Sequence, residues 1–494
     1  MISVHLLGHD FKYEVSGLIK LFYPKEKINF LDQKTLVTNQ SLLIESCLYN
    51  NDNSVLTKII KDGQCMLEHN IDDINLIDIK ENNRKKKIKI AIKSSLYKVL
   101  SDITNIKVPW GILTGIRPTK IVHDLYDRGE EYTVIKDILT NKYKINDDKA
   151  NLIINIAKKE RPYIYPLNSK RFSLYVSIPF CPTRCIYCSF PSNPIDRVKH
   201  LVEDYTDALL YEIDSVGKMM KGRNINTVYI GGGTPTALPI HQLNRIIKKI
   251  YDVFDREKIK EFTVEGGRPD TITKDMLLML KENGVDRISI NPQTMCNDTL
   301  SLVGRDHNSE DVVNAYNLAK EIGFDSINMD LIVGLPGEGV EEIEGTMDEM
   351  IKLNPDNLTV HTLAIKKASK LRDEIDGYSL AKQKNIEKML NVTSLGTKKM
   401  MMEPYYMYRQ KQILGNFENI GYSKRGKECI YNMLIMEEKE TIIATGAGGV
   451  SKIFYPETNR LERVPNVKDI NMYIDRLEEM VLRKNKNINF IDNI

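Results

Sequence analysis

No uninterrupted apolar run in this chain of 494 residues approaches the roughly eighteen that a membrane-spanning helix needs. The opening residues, Met1 to Asp10, lack a basic segment followed by a long apolar stretch, so neither export nor membrane insertion is expected. Charge of one sign is lacking too. The formal net charge is only +3, and lysines and arginines nearly balance acids along most of the chain, which excludes a nucleic-acid-binding tail and makes nucleic acid an unexpected partner. One basic run, Arg84 to Lys89, breaks that balance; it reads as a solvated helix face, with RNA contact the lesser alternative. Internal repeats and low-complexity tracts are absent. Cysteine is sparse: of seven, Cys47, Cys65, Cys296 and Cys429 are scattered, which excludes a disulfide framework and suits a reducing, cytoplasmic interior. The length leaves room for two or three domains, each with its own core.

The other three cysteines are clustered, in the run Cys181-Pro-Thr-Arg-Cys185-Ile-Tyr-Cys188. Three thiolates at this spacing can hold an iron-sulfur cluster yet leave one iron without a protein ligand, because a cube normally takes four cysteines and Ser189-Phe190-Pro191 offers no fourth. An open iron is a place for chemistry. The other reading is structural zinc. Closed zinc sites take four Cys or His ligands, and no Cys-x2-Cys or His-x3-His partner appears downstream, which places zinc second.

From Leu174 onward, short β-branched or apolar runs alternate with longer amphipathic ones, the pattern of βα units around a parallel sheet. The expected strands are Leu174 to Ile178, Thr227 to Ile230, Glu261 to Glu265, Arg287 to Ile290, Ile327 to Ile332 and Asn357 to Leu363. Helices are expected around Val198 to Met219, Leu243 to Phe254, Lys274 to Asn283, Glu310 to Ile322 and Glu341 to Leu353. Thr273 can cap the third of these and Gly284 end it; Ser309 and Gly323 bracket the next. Right-handed βαβ connections put every strand's C-terminal end on one rim, where such sheets collect ligands. The cysteine loop, Gly231-Gly232-Gly233-Thr234-Pro235, Glu265, Gln293 and Asp330 all fall there. Before Tyr165 the pattern differs, with a strand from Leu42 to Cys47 and helical stretches from Ile88 to Asp102 and Asp147 to Lys159. Pro162, Pro166 and Asn168 mark a junction. After Ser369, helical sequence through Met389 leads to Pro404 to Gln410 and the loop Thr445 to Gly449.

A cluster with an open iron can bind an amino acid's amino and carboxylate groups, and S-adenosylmethionine carries both beside a sulfonium that one electron cleaves. A carbon radical made there demands water exclusion and a tightly held substrate. The glycine run lets backbone groups approach a small polar ligand, although such a run alone is more often a turn. Glu265, Gln293, Arg305 and Asp330 can contact amine, ribose and carboxylate groups.

Cys-x3-Cys-x2-Cys, then Gly-Gly-Gly-Thr-Pro, then an acid at the end of the third strand resembles the radical S-adenosylmethionine (SAM) enzymes. Between about Arg171 and Ala364 the chain resembles the oxygen-independent coproporphyrinogen III oxidases, and Arg268 to Ile272 together with the Gly446 region resembles their HemZ branch. The resemblance implies an α/β fold: a partial (β/α)6 TIM-like barrel (166–370), an α+β N-terminal domain (1–165) and a C-terminal α/β extension that closes the barrel (371–494). It implies that Cys181, Cys185 and Cys188 hold a 4Fe-4S cluster. Tyr175 and Glu265 take the catalytic positions through contact with SAM. Gly232, Gly233 and Thr234 supply the glycine-rich contact, Gln293, Arg305, Asp330 and Ala364 contact this SAM or a second molecule, and Tyr187 lies beside adenine or packs on its loop. The implied reaction removes hydrogen from two propionates of coproporphyrinogen III by a 5'-deoxyadenosyl radical, with loss of carbon dioxide, giving protoporphyrinogen IX. The implied electron donor is of the flavodoxin or ferredoxin kind.

Arg268, Arg409, Lys411, Lys424 and Arg425 are candidate anchors for the substrate carboxylates. Met400 to Met402 with Tyr405, Tyr406 and Tyr408 are a candidate wall for the macrocycle. One departure bears on function: the oxidases carry a cysteine two residues after the third cluster cysteine, and here Phe190 stands there, as in the haem-chaperone branch. A haem chaperone, or another radical enzyme such as a methyltransferase or RNA modifier, is therefore the alternative.

Overall fold

Helices form where apolar residues recur every three to four positions. Leu243, Ile246, Ile247 and Ile250 lie on one face of the helix Ile240–Val253 and are all buried. Thr273 accepts a hydrogen bond from the Met276 amide (3.2 Å), and Gly284 (φ +70°) follows the end of that helix. The next helix, Ser309–Ile322, is capped one residue earlier than expected. Asn308, not Ser309, makes a reciprocal capping box with Asp311, since its carboxamide reaches the free amide from the preceding position.

The computed structural model describes residues 1–31, 42–49, 51, 53–72, 74, 76, 81–115, 117–366, 368–373, 383–410 and 417–492. They fall into two units, Met1–Asn155 and Ile156–Ile494. Among the described residues no helix is long and apolar enough to cross a membrane.

The first unit is α+β. Its strands are β1 (Ile2–Leu7), β2 (Ile28–Leu31), β3 (Leu42–Tyr49), β4 (Ser54–Lys61) and β5 (Gln64–Ile71), in the order β2-β1-β3-β4-β5. β1 runs parallel to β2 and β3, while β3, β4 and β5 form an antiparallel meander. The helix Glu81–Thr104 packs on β4 and β5, burying Ile92 and Leu96. Arg84, Lys85 and Lys86 on this helix are exposed, as a solvated face requires.

The second unit is built on an 11-stranded sheet. Its parallel strands are β6 (Arg171–Ile178), followed after the short bridge strands β7 (Phe180–Cys181) and β8 (Asn193–Pro194) by β9 (Asn224–Gly232), β10 (Glu261–Gly267), β11 (Arg287–Ile290), β12 (Ser326–Val333) and β13 (Asn357–Thr362). These pair in chain order, each parallel to the next. β11 is buried at all four positions although Arg-Ile-Ser-Ile alternates polar with apolar residues; its polar side is satisfied inside the unit, Arg287 donating to Ser326 Oγ (2.7 Å). The later strands β14 (Glu403–Tyr408) and β15 (Asn419–Ser423) extend the sheet antiparallel beyond β13. β16 (Thr441–Thr445) runs parallel to β6, and β17 (Val450–Tyr455) and β18 (Arg460–Pro465) complete that edge. All six expected strands are present, so the α/β architecture agrees with the reading of the sequence. Pro162 is not at a linker, however. It lies inside the helix Asp147–Ile164, two residues from its end, where a missing amide forfeits only one helical hydrogen bond.

Candidate active site

The strand ends converge as the βα pattern requires. A cavity of about 350 Å³ opens on the rim of the second unit, within the usual range for small-ligand sites. Tyr175, Cys181, Cys185, Tyr187, Cys188, Gly232, Gly233, Thr234, Glu265, Gln293, Arg305, Asp330 and Ala364 all line it. The loop carrying the cysteines is held by its backbone. Ile186 donates its amide to Val303 O (3.1 Å), Cys188 donates to Cys185 O (3.1 Å), and Thr183 Oγ1 donates to Gly304 O (3.0 Å). Burial pushes the Cys181 thiol up to about 11 and the Cys188 thiol up as well. A bare thiolate is thus costly here and needs a compensating cation, which iron supplies.

The glycines are required by space. A Cβ on Gly233 would lie 2.4 Å from Phe180 O and 3.0 Å from Cys181 Sγ, and Gly232 has φ +112°. Gly233 donates its amide to Ile178 O and Thr234 to Phe180 O, both at 2.7 Å, which locks this turn beneath the cysteine loop.

Glu265 faces the glycine run. Its carboxylate accepts from Tyr229 Oη (2.6 Å) and the Gly232 amide (3.2 Å). Burial pushes Glu265 up to about 7, reinforced by Asp330 and opposed by those two donors. Tyr175, Tyr229 and Tyr431 stack beside it, with Tyr229 and Tyr431 centroids 4.4 Å apart. Burial likewise raises the Tyr175 phenol, with the Glu265 charge second. Asp330 differs. Burial works against its ionisation, but His361 outweighs it together with Asn328 and Thr359, so Asp330 titrates below its usual range. His361 Nε2 lies 3.8 Å from Asp330 Oδ2, and its Nδ1 is 3.2 Å from Tyr408 Oη.

Gln293 holds a left-handed backbone (φ +69°), donating its amide to Asp330 O (2.9 Å) and accepting from Ile332 N (2.9 Å). Its Oε1, the Asn291 Oδ1 and the Arg305 Nε are buried without a hydrogen-bond partner. Orphaned polar atoms on a cavity wall are what a polar ligand satisfies. A cysteine-bound cluster and a small zwitterion fit this donor and acceptor set.

The substrate-anchor candidates fare differently. Arg268 reaches the cavity, but its guanidinium is engaged by Asp270 through two hydrogen bonds of 2.9 Å and by Thr183 (2.6 Å). Arg409, Lys424 and Arg425 do not line it; Lys424 donates to Asn354 O (2.8 Å), and Lys411 lies outside the described residues. Met400 and Met402 are core residues and Met401 is exposed, because the helix end and β14 turn them away from the rim. Tyr405 is also in the core. Tyr406 and Tyr408 share a strand face and line the cavity. Lys366, His361 and Tyr229 were missed. Tyr229 was findable, since it lies two residues before Gly231 on the same strand and so on the same face. Lys366 carries no such signal; its ammonium sits 6.0 Å from the Phe190 ring, and burial lowers its pKa.

Three cysteines after the first strand, a glycine turn after the second and polar side chains at the next strand ends define a radical SAM protein. The Radical SAM superfamily matches residues 175–350. The oxygen-independent coproporphyrinogen-III oxidase-like protein HemZ of Bacillus subtilis is 40% identical over 415 residues, 83% of this chain and 83% of that protein. The chain belongs to this HemZ-like family of radical SAM enzymes, whose cofactors are a 4Fe-4S cluster and S-adenosylmethionine. The heme chaperone HemW of B. subtilis is 35% identical over 39% of this chain and 50% of its own length. The oxygen-independent coproporphyrinogen III oxidase of Escherichia coli is 36% identical over 40% of this chain and 43% of its own. The solved E. coli coproporphyrinogen III oxidase HemN, at 24% identity, superposes with a TM-score of 0.50 over 66% of this chain and 73% of that chain, in agreement on the fold.

Proposed function

We propose that the protein is an oxygen-independent coproporphyrinogen III oxidase, decarboxylating two propionates to vinyl groups to give protoporphyrinogen IX in haem biosynthesis. The observation that carries this reading is the shared cavity. It joins the three cysteines and the SAM-type contacts to an aromatic wall and to cationic side chains, in a chain 40% identical to HemZ. When bound, the cluster and SAM supply a 5'-deoxyadenosyl radical able to take hydrogen from a propionate β-carbon. The protein's own residues hold and exclude. Cys181, Cys185 and Cys188 hold the cluster; Tyr175, Tyr187, Gly232, Gly233, Thr234 and Glu265 hold SAM; Gln293, Arg305, Asp330 and Ala364 complete that shell. Tyr406, Tyr408 and Met436 offer the macrocycle a soft wall, and Lys366 and His361 stand where carboxylates can be met. A flavodoxin- or ferredoxin-type donor delivers the electron that starts each turnover, and a one-electron acceptor takes the electron released as carbon dioxide leaves and the vinyl group forms.

A heme chaperone is the second reading, and Phe190 favours it: the ring stands 59% exposed at the cavity wall where the oxidases have a cysteine. Carbon dioxide release from coproporphyrinogen III by the reconstituted, anaerobically reduced protein supports the oxidase. Stoichiometric haem binding without decarboxylation supports the chaperone instead.

A further inference from the structure

The first unit carries two adjoining cavities, of about 390 and 500 Å³, that the proposed reaction does not use. Both are bounded by the helix Glu81–Thr104 and the π-helical turn Ile138–Lys142, and both are lined by Lys87, Ile90 and Lys142. Lys86 and Arg128 add to the first, Lys98 and Lys144 to the second.

Three features mark a binding site. The neighbouring lysines are neutralised: Lys85 pairs with Glu81 (3.1 Å), Lys89 with Glu14 (2.5 Å), Lys98 with Asp102 (3.0 Å) and Lys136 with Asp147 (3.1 Å). Among the described residues no such ion pair is made by Lys86, Arg128, Lys142 or Lys144, and burial, then Lys87, Lys86 and Arg128, lower the Lys142 pKa. Exposed cations without carboxylate partners around one concavity give it a positive potential that attracts an anion. The backbone there is irregular as well: a π-turn followed by Lys144 at φ +58°, the kind of departure that concentrates at functional positions. Finally, His69 Nδ1, on the wall of the second cavity, is buried with no hydrogen-bond partner.

The floor is apolar, from Ile71, Ile74, Ile90 and Ala91 in the second cavity and Ile121 and Leu125 in the first. Asp124 and Glu130 in the first cavity and Asp72 in the second offset part of that basic charge and leave cations in excess in both. Among the described residues Tyr143 is the only Phe, Tyr or Trp lining either cavity, where a single-stranded nucleic acid needs several for stacking. Concave, basic and floored with isoleucine, the pair suits a compact polyanion. We propose that these cavities bind a small phosphorylated ligand of nucleotide size, its phosphates at Lys86, Lys87, Arg128 and Lys142 and its apolar body against Ile90.

The test is titration calorimetry of the whole chain with adenosine triphosphate and, separately, inorganic triphosphate. The expected result is saturable 1:1 binding that weakens as salt is raised and is not displaced by excess SAM. Lys142→Glu lowers the affinity at least about tenfold, the worth of one charge-assisted contact, and leaves SAM cleavage unchanged. Tighter binding of adenosine triphosphate assigns a nucleotide; equal binding of both assigns the phosphate chain itself. Lys86→Glu, on the exposed helix face, gives the same loss if Lys142→Glu does not fold. No saturable binding by either probe, binding indifferent to both charge reversals, or displacement by SAM overturns the proposal. So does tight binding of a short RNA oligomer that adenosine triphosphate cannot compete away.

Discussion

Replacing Glu265 by glutamine should strengthen the empty protein and weaken its hold on the cofactor, two effects of opposite sign from one substitution. Burial moves the folded carboxyl from its ordinary 4.5 up to about 7. Between those values the folded chain holds a proton that the unfolded chain has lost, so this group's contribution to stability falls as pH rises and levels off above about 7. One unit is worth about 1.36 kcal/mol, which sets a ceiling of about 3 kcal/mol on the cost of the charge at pH 8. A glutamine at this position is never charged; its one amide oxygen can keep the Gly232 amide while its NH2 donates to Tyr229 Oη, which accepts as well as donates. Chemical denaturation of the cluster-free protein at pH 5 and pH 8 measures this: wild type loses stability between the two, and Glu265→Gln loses less and is the more stable at pH 8. Equilibrium binding of SAM to the reconstituted protein measures the other half. Losing a charged hydrogen-bond partner costs about 1.5–3 kcal/mol, roughly 10- to 100-fold in affinity. A variant destabilised at pH 8, or one that binds SAM as wild type does, would refute the assignment of Glu265 as a desolvated carboxylate kept for a cation.

Three further outcomes are expected. Cys185→Ala should reconstitute with little cluster and no SAM cleavage, seen as loss of the visible cluster absorbance and of released methionine. Gly233→Ala forces a methyl group to 2.4 Å from Phe180 O and 3.0 Å from Cys181 Sγ; overpacking of this kind costs about 1–3 kcal/mol, and iron content should fall along with the melting temperature. His361→Ala removes the foremost group holding Asp330 below its usual range. The folded Asp330 is depressed, so its stabilising share is present above the unfolded value and lost as pH falls. The variant should therefore lose SAM affinity at a higher pH on acidification than wild type, whereas a purely structural role would lower affinity equally at every pH.

Much of the parallel sheet was legible in the chain because short β-branched or apolar runs alternate with longer amphipathic stretches, as Thr227 to Ile230 does with the helix Ile240–Val253. Right-handed connections then put Glu265, Gln293 and Asp330 on the rim with the cysteines, and the structure brings them to one cavity. Side-chain commitments were not legible. Whether Arg268 is free or engaged depends on Asp270 and Thr183, and its contact with Thr183 is made only once the sheet is assembled. Met400 to Met402 had the composition of a macrocycle wall, but the path from helix to β14 decides which of them faces inward. Asn308 and Ser309 are both good caps, and only the backbone at the helix start chooses between them. Lys366 stands four residues past β13 with no periodic partner to announce it.

Whether the cavity decarboxylates a porphyrinogen is decided by one anaerobic incubation of the reconstituted, reduced protein with SAM and coproporphyrinogen III, followed by mass spectrometry of the tetrapyrrole. The expected product has lost carbon dioxide and two hydrogens at each of two propionates and forms together with 5'-deoxyadenosine. Formation of 5'-deoxyadenosine with the tetracarboxylate unchanged would contradict the oxidase reading.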